Sequence, residues 1–301
     1  MEETARSGGP QMASERTEAV FTIRPVSDVL GAEVIGLDLE QPISEVAKQR
    51  LLRAYGDNLL LVFREQKLSK AAQCDFSRIF GEFEMPVNAD YLGKDFPQLH
   101  VVSNLNADGV PTAKKALQNP GNYFWHTDAS YMRKPSSSTL LYSVETPSSG
   151  GDTTFANMYA AYEALSAEVK QRLGALRAVH SWEQSRLNSG SRPATEEEKR
   201  KAPPVSHPLV RTHPETGRKA LYLGVHTSHI EGMEIEEGRR LLAELLRHAT
   251  QDQFLYRHKW QPGDLVMWDN RCLLHKASDD YDMEREARVL HRTVIQGTVP
   301  V

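Results

Sequence analysis

The sequence predicts a mainly β domain with inserted helices. Two observations carry that prediction. Apolar or β-branched runs of strand length recur along the chain, bounded by Gly, Pro, Asn and Ser. Helical periodicity appears only in a few separate stretches, without the regular strand–helix alternation of a parallel α/β fold. Periodicity does not choose between a sandwich, a barrel and a jelly roll.

The elements follow in order. Phe21-Thr22-Ile23-Arg24 reads as a strand, followed by an apolar, small-residue segment over 29–37. Ser44 is placed to cap a helix carrying Val46, Leu51, Leu52 and Tyr55 and ended by Gly56. Leu59-Leu60-Leu61-Val62-Phe63 has the length of a buried strand. Ser69 caps a second helix with Phe76, Ile79 and Phe80 on one side and Gly81 at its end. Residues 99–103 read as a strand, and 104–122 as a long loop of the kind that forms lids or stays disordered. Strands over 139–144 and 153–155 flank a Pro-Ser-Ser-Gly-Gly turn. Two helical segments broken near Ser166 come next. Residues 185–204 read as a second flexible loop. A hairpin with Gly217 in its turn spans 208–223. Leu241, Leu242, Leu245, Leu246 and Ala249 share one helix face, and strands over 254–260, 264–268 and 288–296 finish the chain. No composition shift marks a domain boundary. We expect a disordered tail over 1–18 and a single domain over 19–301.

Composition narrows the function. Lys and Arg total 36 against 40 Asp and Glu, which argues against general nucleic-acid binding. No apolar run is long enough for a transmembrane helix, so no membrane partner is expected. Cys74 and Cys272 make neither a disulfide framework nor a cysteine zinc site. The polar N-terminus lacks a signal core, and the default expectation is a cytoplasmic protein. Eleven histidines stand out, because histidine is the commonest metal ligand.

Four constellations carry chemistry. In Trp125-His126-Thr127-Asp128, an extended backbone puts His126 and Asp128 on one face. In Trp268-Asp269-Asn270-Arg271-Cys272-Leu273-Leu274-His275, a single histidine emerges from an apolar segment. Two histidines and one carboxylate suit a facial triad on non-haem Fe(II). Taken singly, each is as well read as a hydrogen-bonded structural residue. In Arg288-Val289-Leu290-His291-Arg292, a strand would turn both arginines to one side, where they pair either with anions or with internal carboxylates. Gly150-Gly151-Asp152-Thr153 is either a plain turn or the source of a hydroxyl, Thr153, for the same anion as Arg288.

These motifs, with the N-terminal Leu30-Gly31-Ala32-Glu33-Val34-Ile35-Gly36-Leu37 and Phe80-Gly81-Glu82, stand in the order seen in the taurine dioxygenase/TfdA family. From Trp125 onward the chain resembles the dichlorophenoxyacetate dioxygenase branch, notably at 207–214 and 221–229. The resemblance implies a double-stranded β-helix (jelly-roll) core, with Fe(II), 2-oxoglutarate and O2 as cofactor and cosubstrates. It implies His126, Asp128 and His275 as iron ligands, and Thr153 and Arg288 as the grip on 2-oxoglutarate. It further implies Arg292 and His229 as contacts to an anionic substrate, leaving His226 open. An aryloxyalkanoate-like acid is the first expectation and an alkyl sulfate or sulfonate the second. A homo-oligomer, dimer or tetramer, is implied as well. Two features depart from the family. The histidine that taurine enzymes carry soon after Phe-Gly-Glu is absent from Glu84-Met85-Pro86-Val87-Asn88, and the stretch over 276–287 is longer. The same triad would also serve a zinc hydrolase, and the two arginines a non-catalytic anion-binding β domain.

Overall fold

The computed structural model describes residues 21–85 and 95–301. The expected tail over 1–18, and Pro86, Val87 and Asn88, lie outside the described residues. The strands in chain order are β1 (Thr22–Pro25), β2 (Ala32–Ile35), β3 (Leu60–Phe63), β4 (His100–Ser103) and β5 (Ser136–Glu145). Next come β6 (Thr153–Asn157), β7 (Arg177–His180), β8 (Val205–Pro208), β9 (Val210–Thr212) and β10 (Lys219–Leu221). The last are β11 (Thr227–Ile230), β12 (Leu255–His258), β13 (Leu265–Asp269), β14 (Leu273–Ala277) and β15 (Val289–Gln296). The helices are α1 (Glu45–Asn58), α2 (Lys70–Ser77), α3 (Ala113–Ala116), α4 (Met158–Glu163), α5 (Ala167–Gly174), α6 (Trp182–Asn188), α7 (Glu196–Lys201) and α8 (Ile235–Ala249).

A seven-stranded sheet, β1-β2-β3-β13-β5-β15-β4, is the main layer, and the three-stranded β12-β6-β14 faces it. This is the mainly β, jelly-roll arrangement with inserted helices that the sequence led us to expect. Alternation along each strand sorts the side chains into two cores. Leu60, Val62, Val266 and Trp268 of the main sheet pack toward Phe155, Ala156 and Leu274 of the facing sheet. Their neighbours Leu61, Phe63, Leu265 and Met267 pack outward against Leu51, Ala54, Tyr55 and Phe76 of α1 and α2. Burial on both faces explains why residues 59–63 read as a continuous apolar run rather than an alternating one.

Several local expectations need correction. Helix α1 runs through Gly56 and ends at Asn58, with Leu59 as its left-handed cap at φ 65°. Residues 185–204 are not a flexible loop. Ser181 caps α6, and Thr195 and Glu198 form a reciprocal capping box on α7. Each cap satisfies backbone donors that the first turn leaves open. The span over 104–122 contains α3, capped by Thr112, and a 3-10 turn over Pro120–Tyr123. A three-stranded sheet, β11-β7-β8, also went unread in the sequence. Its strands are four residues each, and they bury polar His180 and His207, so no apolar alternation announces them.

Candidate active site

His275 lies on β14, and His126 pairs with it across an isolated antiparallel bridge, with backbone hydrogen bonds of 3.0 and 2.8 Å in the two directions. That bridge brings together two histidines far apart in the chain, with ring centres 4.1 Å apart. Asp128 completes the group. Its Oδ1 lies 3.9 Å from His126 Nε2 and its Oδ2 3.9 Å from His275 Nε2. One ligand atom from each residue lies within 4.8 Å of the others, and all three residues are buried. His126 Nδ1 is 2.8 Å from the Phe124 carbonyl oxygen. A proton held there leaves the Nε2 lone pair facing its partners, the outer contact usual for a metal-binding histidine. His275 Nδ1 has no hydrogen-bond partner among the described residues.

Burial pushes both imidazoles toward the neutral form, which is the ligating form. Burial alone would raise Asp128, but Arg292, the two histidines and the Thr139 hydroxyl outweigh it and hold the carboxyl well below its usual range. A buried carboxylate flanked by two neutral imidazoles is a donor set able to hold a divalent transition metal and leave one side open.

The Trp268-Asp269-Asn270-Arg271 motif supports this group from behind. Asn270 donates to Thr139 Oγ1 at 2.8 Å, and Thr139 donates to Asp128 Oδ2 at 2.5 Å. Asn270 Oδ1 accepts from Trp268 Nε1 at 3.1 Å, and its backbone carbonyl accepts from the Thr127 hydroxyl at 2.6 Å. Asp269 faces away from the triad and is held by His213 and Arg271 at 3.0 and 2.7 Å.

The triad opens into a cavity of about 850 Å³. Arg288, Arg292 and Thr153 line it, so the structure brings these predicted residues to one place. Arg288 is buried and donates from Nε to the Gly151 carbonyl at 2.9 Å. No carboxylate of the described residues forms an ion pair with it. A buried guanidinium in that state is a receptor for an anion, because an uncompensated buried cation is costly. Thr153 accepts from Trp260 Nε1 at 3.0 Å, which leaves its hydroxyl proton to donate elsewhere. Arg292 differs: its Nη2 lies 2.6 Å from Asp128 Oδ1.

His229 is not among the cavity-lining residues. It sits on β11 with Nδ1 3.1 Å from its neighbour's hydroxyl on Ser228. His226, three residues earlier, does line the cavity. The His226 ring centre is 6.0 Å from that of His126 and 5.0 Å from that of Tyr131, and its Nδ1 lies 2.7 Å from the Ser185 hydroxyl. Glu84 was noted only for the histidine that does not follow it, yet it lines the same cavity and accepts from Ser136 at 2.6 Å. Burial pushes its carboxyl up to about 7.

His180, His207 and His226 are buried, and burial drives each pKa down, that of His226 to about 3. Above about pH 6.5 such a histidine is neutral in both folded and unfolded chains. Below that pH the unfolded chain takes up a proton that the folded chain refuses, so stability falls as pH falls toward the folded pKa. The unfolding free energy of chelator-treated protein, measured by urea titration, is expected to drop between pH 7 and 5, by about 1 kcal/mol per histidine for each pH unit below 6.5, with the urea midpoint falling accordingly. A midpoint constant over that window would contradict neutral burial of these rings.

Comparison with known proteins decides the affiliation. Residues 22–294 match the Taurine catabolism dioxygenase TauD, TfdA family. The chain belongs to the TauD/TfdA family. It is 39% identical over 281 residues to the alpha-ketoglutarate-dependent 2,4-dichlorophenoxyacetate dioxygenase of Cupriavidus pinatubonensis, covering 91% of this chain and 98% of that one. It is 37% identical to the (S)-phenoxypropionate/alpha-ketoglutarate-dioxygenase of Sphingobium herbicidovorans, covering 91% and 94%. A sulfate ester dioxygenase of Pseudomonas putida is 32% identical, covering 93% and 90%. Among solved structures, AAD-2 in complex with Mn(II) and N-oxalylglycine superposes with a TM-score of 0.84 at 39% identity, covering 93% of this chain and 98% of that one. This TauD/TfdA member is therefore an Fe(II)- and 2-oxoglutarate-dependent dioxygenase that consumes O2. No helix among its described residues is long and apolar enough to cross a membrane.

Proposed function

We propose that this dioxygenase hydroxylates a small organic anion, an aryloxyalkanoate-like carboxylic acid, with release of succinate and CO2. The observation that carries the reading is a buried His126–Asp128–His275 group opening into a cavity whose deep cation, Arg288, forms no ion pair with a carboxylate of the described residues. In this reading the three residues hold Fe(II), which supplies the chemistry that activates dioxygen and couples it to oxidation of 2-oxoglutarate. Arg288 grips the distal carboxylate of 2-oxoglutarate in a bidentate fork, and Thr153 donates its hydroxyl to the same group. Arg292 offers a second positive charge beside the triad. His226, kept neutral by burial, offers its Nε2–H to the substrate carboxylate when its Nδ1 accepts a hydrogen bond from the Ser185 hydroxyl. Tyr131 and Trp182, with ring centres 4.8 Å apart, give an aromatic wall against which an aryl group packs.

The protein's part is to hold the reacting C–H close to the triad and to keep water out. Hydroxylation at a carbon bearing an aryloxy group leaves an unstable hemiacetal or hemiketal, which collapses to a phenol and an aldehyde or keto acid. The net result is oxidative cleavage. The substrates named for these relatives, dichlorophenoxyacetate and phenoxypropionate, support this choice over a sulfate ester. We extend the proposal to a single domain over 19–301 that works as a cytoplasmic homo-oligomer, dimer or tetramer, without nucleic-acid or membrane partners. The test is succinate release with Fe(II), O2 and 2-oxoglutarate across aryloxyacetates, aryloxypropionates, alkyl sulfates and sulfonates. Aryloxyalkanoates are expected to give the highest kcat/KM, and a sulfate or sulfonate that exceeds them would overturn the substrate assignment.

A further inference from the structure

The long segment over 276–287 is folded onto the Gly150-Gly151 turn and clasps it from both ends. Ser278 N donates to the Asp152 carbonyl at 2.8 Å, and Ser148 donates from its backbone N and its hydroxyl to the Glu286 carboxylate at 2.5 and 3.0 Å. Between these ties lies Asp280. Its Oδ1 accepts from Gly151 N at 3.0 Å, and its Oδ2 accepts from Arg257 Nη2 at 2.5 Å. Arg257, on β12, also donates from Nε to Asp152 Oδ2 at 2.6 Å. One guanidinium thus bridges the carboxylates on either side of the turn. Asp152 is 5% exposed and Arg257 is its only ion-pair partner among the described residues, so this contact is not an ordinary solvated pair.

The turn itself leaves no slack. Gly150 and Gly151 both take left-handed backbone, at φ 75° and 64°. A Cβ on Gly150 would sit 2.2 Å from the Asp280 carbonyl oxygen, and one on Gly151 would sit 3.3 Å from Arg288 Nε. The peptide that Asp280 holds by its N–H side is followed directly by the Gly151 carbonyl, which accepts from Arg288 Nε at 2.9 Å. Charge-assisted hydrogen bonds at either end, joined by the backbone of Gly151, therefore link Arg257 and Asp280 to Arg288.

We propose that Arg257 and Asp280 are positioning residues that set the orientation of Arg288 for the distal carboxylate of 2-oxoglutarate, by fixing the backbone of Gly151. The inference rests on Arg288 holding that carboxylate. Neither residue lines the cavity, so neither touches the cosubstrate directly. The segment over 276–287 is thereby a built part of the cosubstrate site and not a surface insertion.

The experiment is calorimetric binding of N-oxalylglycine to the Mn(II)-loaded protein, alongside KM for 2-oxoglutarate and for the organic acid. Asp280→Asn and Arg257→Met are expected to weaken analogue binding and raise KM for 2-oxoglutarate about tenfold, the effect of losing one hydrogen bond to a charged group. Mn(II) affinity and KM for the organic acid stay within about twofold, and Arg257→Lys recovers part of the loss. In an Arg288→Met background, Asp280→Asn is expected to add nothing, because the link then has no end. Analogue binding unchanged in both single variants overturns the proposal, as does a loss in Asp280→Asn that persists undiminished on Arg288→Met. If Arg257→Met does not fold, the half-exposed Asp280→Asn with its double variant decides alone. Normal analogue affinity in Arg288→Met itself would instead overturn the assignment of Arg288, a distinct result.

Discussion

His126→Ala is expected to lower substrate-dependent succinate release by at least about a hundredfold. Loss of a contact outside a ligand set already costs about 10–100-fold in metal affinity or activity, so loss of a ligand exceeds that range. The effect is local for a structural reason. The backbone bridge between His126 and His275 does not depend on the imidazole, so the segment keeps its place when the ring is removed. Metal content after equilibration with Fe(II) under anaerobic conditions, read next to turnover, separates loss of metal from loss of fold. Turnover within tenfold of the parent would contradict the ligand role.

Arg288→Met is expected to raise KM for 2-oxoglutarate about a hundredfold and to leave binding of the organic acid nearly unchanged. A bidentate, charge-assisted contact in a water-poor site is worth about 3 kcal/mol, which corresponds to that factor. Methionine keeps much of the aliphatic volume and removes a charge that is costly to bury, so the fold is expected to tolerate it. Burial already lowers the Arg288 pKa, and Tyr281, Tyr123 and Asp152 act against that shift. An equal rise in KM for cosubstrate and substrate would place Arg288 between the two and not at the distal carboxylate.

Local spacing marked the residues that carry the chemistry as candidates, and the ordered set of motifs singled them out. His126 and Asp128 lie two apart and Arg288 and Arg292 four apart, spacings that share a face in an extended chain, although β15 begins only at Val289 and Asp128 sits in a turn. What joins them across the chain, the bridge to His275, became legible through the resemblance and not through periodicity. The cavity wall beside the triad was less legible. His226 and His229 fall in one short segment, and their difference lies in contacts with Ser185 and Tyr131 on other elements. Glu84 gave no signal because a single acid after a Phe-Gly-Glu segment looks like any surface glutamate. It is made unusual only by burial beside Ser136 and Arg292. Helix α7 was legible in principle, since Thr195 and Glu198 are spaced for a capping box, but the surrounding prolines and charges outweighed that cue.

The central claim is that one buried site couples loss of CO2 from 2-oxoglutarate to oxidation of an organic anion. The most direct test measures succinate and oxidised product together, with the best aryloxyalkanoate, in the presence and absence of O2. Equal amounts of succinate and product in air, and neither without O2 or without 2-oxoglutarate, is the predicted result. Product formed anaerobically or without 2-oxoglutarate would contradict it and favour hydrolysis by the same triad.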